Sequence, residues 1–206
     1  MSGPRSRIDL YWIPLGAGGV GCIRFNGRLY EAMVARREKR PPLDLYHTAL
    51  EVSTAEGSFI IENAWPSPDT DIATRGVVLE GPVFGRRLAR FRPFRYEVRR
   101  WRDGVIADLS HAVGGARTVS TDSARADLLL ALVEQVPPMI WGRDEAGSGE
   151  MWNSNSVVAW LLSRTGVPLE NVTPPSGGRA PGWKAGIALA ETGGARLSPG
   201  SVGSTD

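Results

Sequence analysis

Two strand-like runs separated by four turn-prone residues constrain this chain more than any other feature. Residues 45–53 (LYHTALEVS) and 58–63 (SFIIEN) are rich in β-branched and aromatic side chains, and Thr54-Ala55-Glu56-Gly57 between them suits a hairpin loop. If the loop pairs Ser53 with Ser58, the two-residue period of a strand fixes the rest. Ala49 then lies opposite Glu62, and His47 sits diagonal to Glu62 on the same face of the sheet. Further strands are expected at residues 8–15, ending near Pro14, at 76–79 and at 94–102, where apolar and charged positions alternate.

Helices enter on either side of this block. Good helix formers occupy residues 29–37, and Pro41-Pro42 stops them. A helix over 123–136 can be capped by Thr121 or Asp122, buries Leu128, Leu129, Leu132, Val133 and Val136, and ends at Pro137-Pro138. A second covers 155–165, with Val157, Val158, Leu161 and Leu162 along one side and Gly166 as its stop. The Gly/Pro-rich stretch 174–186 carries Arg179 and Trp183 and reads as an ordered loop. These elements make one α+β domain over residues 1–190, an antiparallel sheet or small barrel with a few helices. A tail of disordered composition follows at 191–206.

Composition removes several function classes. The chain has 206 residues, 42% hydrophobic and 22% charged, enough for one core without disulfides. Cys22 is the single cysteine and His47 and His111 the only histidines, so no disulfide framework or conventional metal site is expected, and no cofactor. No apolar run approaches the ~20 residues of a membrane span, and a cytoplasmic location is expected. Gly16, Gly18 and Gly21 match G-x-G-x-x-G after a strand. Asn26-Gly27 interrupts the helix a pyrophosphate would need, however, and Glu51 lies about 30 residues beyond Gly21 where roughly 20 is usual, so an ordinary turn is expected. Residues 86–102 hold eight arginines among Phe91, Phe94, Tyr96 and Trp101, a pattern that raises nucleic-acid binding. A net charge of +2 and Glu97 in its midst favour a solvated strand face instead.

Three features carry chemistry. His47 with Glu62, or Glu51 as a substitute, is the arrangement of a general base whose ring a carboxylate orients. Residues 151–162 (MWNSNSVVAWLL) run from a polar cluster into an apolar helix. Ser and Asn there are good N-caps, and the same helix start would place a serine where free amides stabilise negative charge. His111, by contrast, reads as a surface residue.

The order of these pieces, a hairpin with His then an acid, and much later N-[nucleophile]-N-S at a helix start, resembles the circularly permuted papain-like folds related to the NlpC peptidases. The lecithin–retinol-acyltransferase-like and PPPDE-like groups belong there. The matching residues are His47 in Tyr46-His47-Thr48-Ala49-Leu50, Glu62 in Ile61-Glu62-Asn63, and Ser154 in Asn153-Ser154-Asn155-Ser156. The resemblance implies attack by Ser154 on an amide, thioester or ester carbonyl, with His47 as base and Glu62 orienting it. Asn153, Asn155 and the helix start are expected to hold the oxyanion, and Trp152, with Trp65 and Trp183, to wall the cleft. The substrate would be a small molecule or peptide. Serine stands where the family has cysteine, so the alternatives are a non-catalytic binding module of the same fold and, from another class, an arginine-rich nucleic-acid binder.

Overall fold

The computed structural model describes residues 6–17, 35–37, 39–66, 76–106, 108–175 and 177–193. The hairpin expected at its centre is there. Strand β2 (Tyr46–Thr54) pairs antiparallel with β3 (Gly57–Ala64), Ser53 opposite Ser58 and Leu50 opposite Ile61. Around it lie β1 (Arg7–Pro14), β4 (Val77–Pro82), β5 (Arg95–Arg102) and β6 (Arg117–Ser120), in the order β4-β5-β3-β2-β1-β6, every neighbour antiparallel. The sheet is open, with β4 and β6 as its edges, and not a small barrel.

Alternation along the strands gives the sheet two different faces. Leu10, Trp12, Leu50, Val52, Ile61, Tyr96 and Val98 join the main core with the helices. Tyr11, Ile13, Ala49 and Ile60 form a second cluster under Ile106. The connection from β5 to β6 passes over this second face and is tied to β1 where the Val113 N–H donates to Trp12 O at 2.9 Å.

Helix α1 (Ser123–Leu132) begins at Asp122, whose side chain accepts from the Ala124 and Arg125 amides, and continues as a 3-10 turn over Val133–Gln135. Helix α2 (Ser154–Arg164) is buried all round from Ser154 to Ser163, not along one stripe, because the sheet covers one side and α3 (Trp183–Thr192) the other. Gly186 makes that contact possible: a Cβ there would stand 2.2 Å from Ser156 O. Gly166, at φ +72°, turns the chain out of α2 after Thr165.

Two elements depart from the sequence reading. Residues 183–192 are helix α3, where a loop and the start of a tail were expected. The glycines and prolines around Trp183 mask its apolar run, yet Gly186 serves close helix packing. β6 was unforeseen as well, being only four residues long. Residues 35–37 are helical, while the rest of the helix expected at 29–34, Gly18, Gly21, Asn26-Gly27, Cys22 and the tail at 194–206 lie outside the described residues. No helix among the described residues is long and apolar enough to cross a membrane.

Candidate active site

The start of α2 is held by a dense set of hydrogen bonds. Asn153 is the N-cap: its Oδ1 accepts from the Asn155 amide at 2.9 Å, and its own amide donates to Ser156 Oγ at 3.0 Å. Ser156 Oγ donates in turn to Gly182 O at 2.7 Å. Asn155 crosses to the sheet, where its Nδ2 donates to Tyr46 O and Pro181 O, both at 2.9 Å, and its Oδ1 accepts from Thr48 Oγ1 at 3.0 Å. Asn153 Nδ2 also donates to Pro181 O. Asn155 thus spends both amide protons and its Oδ1 on protein partners, while Asn153 commits its Oδ1 and one of its two amide protons. Both fix the helix start, and Asn155 has no amide proton left to hold an oxyanion as the sequence suggested.

Ser154 differs from its neighbours. It is the first residue of α2, and among the described residues neither its hydroxyl nor its backbone N–H has a hydrogen-bond partner. Such an N–H at the first helical position points out of the helix and favours negative charge.

Ser154 and His47 line the same cleft, a space of about 390 Å³. His47 is the second residue of β2 and lies opposite Ile13. Tyr46 also lines the cleft, because β2 begins at its edge, with the Tyr46 N–H bonded to Arg179 O at 2.8 Å. Burial pushes the His47 pKa below its ordinary 6.5, against an opposing pull from the Asp108 carboxylate. The ring is thus neutral at pH 7, the form that accepts a proton. Among the described residues no hydrogen bond joins His47 to Ser154 or to Glu62.

Glu62 does not take the orienting role expected of it. Its Oε1 accepts from Arg99 Nη1 at 2.7 Å, and the same guanidinium binds Glu97 Oε2 through Nη2 at 2.8 Å. Arg99 lies directly across from Glu62 on β5, a partner the hairpin alone cannot supply. Burial raises the Glu62 pKa, with Arg99 lowering it in part. Glu51, the substitute, accepts from Tyr11 Oη at 2.8 Å and Ser58 Oγ at 2.9 Å. The carboxylate that acts on His47 is Asp108, reached through the connection that covers the second face.

The cleft walls are aromatic. Trp65 lines it as expected, together with Trp141 and Phe84, which the sequence reading missed. Trp65 and Trp141 stand 5.8 Å apart between ring centroids. Trp152 instead is 1% exposed and part of the main core, and Trp183 packs on Trp12 at 5.4 Å, so neither forms a wall. Phe84 is 60% exposed and has φ +61°, a left-handed conformation that bulky residues avoid at a cost of order 1–3 kcal/mol. Its neighbours enforce it: the Phe84 amide donates to Trp141 O, the Trp141 amide to Pro82 O, and Arg143 Nε to Phe84 O. The signal for Phe84 in the sequence was only an aromatic before Gly85.

The arginine run turns out to be largely ion-paired. Arg86 pairs with Glu145, Arg95 with Glu80, Arg99 with Glu62 and Glu97, Arg100 with Glu134, and Arg102 with Asp103. Arg99, on the face expected to be solvated, is 8% exposed. His111 is exposed, as anticipated. Among the described residues no group of three or more His, Cys, Asp or Glu is placed to hold a metal ion. Compared with protein-family models, with curated proteins and with solved structures, the chain finds no match.

Proposed function

We propose that this protein is an acyl-transferring enzyme, a hydrolase or acyltransferase, built on a circularly permuted papain-like arrangement with serine as nucleophile. The observation that carries the reading is a single cleft lined by His47, whose ring is neutral at pH 7, and by Ser154, whose hydroxyl has no partner among the described residues at the first position of a helix. In the first half-reaction Ser154 Oγ adds to the carbonyl carbon of an ester, thioester or amide while its proton passes to His47. The resulting oxyanion faces the Ser154 N–H and the positive end of α2. Collapse expels the leaving alcohol, thiol or amine, which takes the proton back from His47. Water, or an acceptor alcohol or amine, then attacks the acyl-Ser154 ester with His47 again as base, releasing the acid or the new ester or amide.

A second reading is a non-catalytic binding module using the same cleft. It is favoured by the lack of a hydrogen bond between Ser154 and His47 among the described residues. Labelling with a serine-directed fluorophosphonate separates the two. The catalytic reading expects one adduct at Ser154, abolished in Ser154→Ala and slowed at least tenfold in His47→Ala. An unlabelled wild-type protein that still folds favours the binding module.

A further inference from the structure

The other residues that line the cleft bear on what Ser154 takes. Leu15, Leu45, Met151 and Pro181 join Trp65, Trp141 and Phe84, and among the described residues no Asp, Glu, Lys or Arg lines the space. A carboxylate or phosphate on a ligand would lose its hydration there with no counter-ion among the described residues to replace it. The volume of about 390 Å³ sits at the low end of small-molecule sites, ~300–1,000 Å³, enough for one ring and a short linker. Trp65 and Trp141 meet at 5.8 Å and 44°, leaving aromatic faces and edges set at an angle, the geometry in which a further ring packs best. Phe84 adds a third ring, held exposed in a strained backbone conformation when a glycine would sit there without strain.

We infer that the cleft binds an uncharged acyl group carrying a single aromatic ring, so that the substrate class is the neutral ester or amide of an arylacetic or aryl carboxylic acid. This rests on the acyl-transfer reading of the cleft. The ring lies among Trp65, Trp141 and Phe84, and the carbonyl reaches Ser154 at the polar end between His47 and the start of α2. Phe84 is the specificity-determining residue, because a large apolar side chain is kept exposed at the cleft on a backbone that a glycine would adopt without strain.

The test uses the Ser154→Ala protein, which cannot turn over, and follows the Trp65 and Trp141 indole N–H resonances by NMR. Methyl phenylacetate is expected to bind saturably and to move both resonances. The phenylacetate anion and methyl acetate, which lacks the ring, should each bind at least tenfold more weakly. Adding Phe84→Gly should weaken methyl phenylacetate at least threefold while raising Tm, the opposite of what a structural role predicts. Equal affinity for the anion or for methyl acetate overturns the inference, as does unchanged affinity in Phe84→Gly. If the wild-type serine takes fluorophosphonate but methyl phenylacetate does not bind, the ligand class falls and the nucleophile stands. If methyl phenylacetate binds but Ser154 never labels, the acyl-transfer reading falls and the ligand class stands.

Discussion

At the scale of single residues, His47 and its acid show what a local pattern can and cannot reveal. The four-residue hairpin loop sets the position of His47, and the pairing of Ser53 with Ser58 follows from that loop. The acid partner depends on elements that return from far along the chain. Arg99 on β5 captures Glu62, and the covering connection supplies Asp108. Asp108→Asn removes the charge that holds the His47 pKa up, so the NMR titration midpoint of His47, already below 6.5, should fall further. Glu62→Gln should leave that midpoint where it is, since Glu62 is not among the groups acting on His47. An equal or larger change in Glu62→Gln would restore the pairing read from the sequence. The sign carries over to reactivity and stability. A base with a depressed pKa stays neutral on the acid side of 6.5, so the acid limb of fluorophosphonate labelling lies below that value and moves lower still in Asp108→Asn. The unfolded chain binds the proton first, and the stability His47 contributes is lost as pH falls from about 6.5 through the folded-state pKa.

At the scale of elements, periodicity revealed those whose residues match their environment. α2 was legible because Asn153 and Ser156 cap it and an apolar run follows. α3 was not, because its placement depends on the absence of side chain at Gly186, which in sequence reads as a helix breaker. On propensity alone Gly→Ala inside a helix gains roughly 1 kcal/mol. At Gly186 the new Cβ would stand 2.2 Å from Ser156 O, a backbone atom that cannot turn away. Overpacking of this kind costs about 1–3 kcal/mol, so the clash outweighs the propensity. Urea unfolding of Gly186→Ala should show a lower midpoint. Gly193→Ala, whose Cβ would meet Leu189 O at an ordinary 3.5 Å, should leave it close to wild type. A stabilised Gly186→Ala would mean that α3 does not pack on α2 this closely.

At the scale of the whole molecule, the two faces of the sheet account for the arginine-rich sequence. One face builds the apolar core with the helices, and the other buries polar networks, Tyr11–Glu51–Ser58 and Glu62–Arg99–Glu97. Arginine suits the second, since its fork can bind two carboxylates at once. Sequence proximity makes residues 86–102 look like a basic patch, but the fold gives five of the eight arginines carboxylate partners: Arg86, Arg95, Arg99, Arg100 and Arg102. With five of its eight arginines paired, that run keeps few cations to displace the counterions of a polyanion, and binding strength and its salt dependence both scale with that number. The intact protein should therefore leave a heparin column at or below about 0.15 M salt, where the Debye length is only ~8 Å. Retention well beyond that concentration would show that the run presents its charges outward and would return nucleic acid to the list of partners. Elution near the void at physiological salt leaves the aromatic cleft beside Ser154 as the surface on which recognition has to be sought.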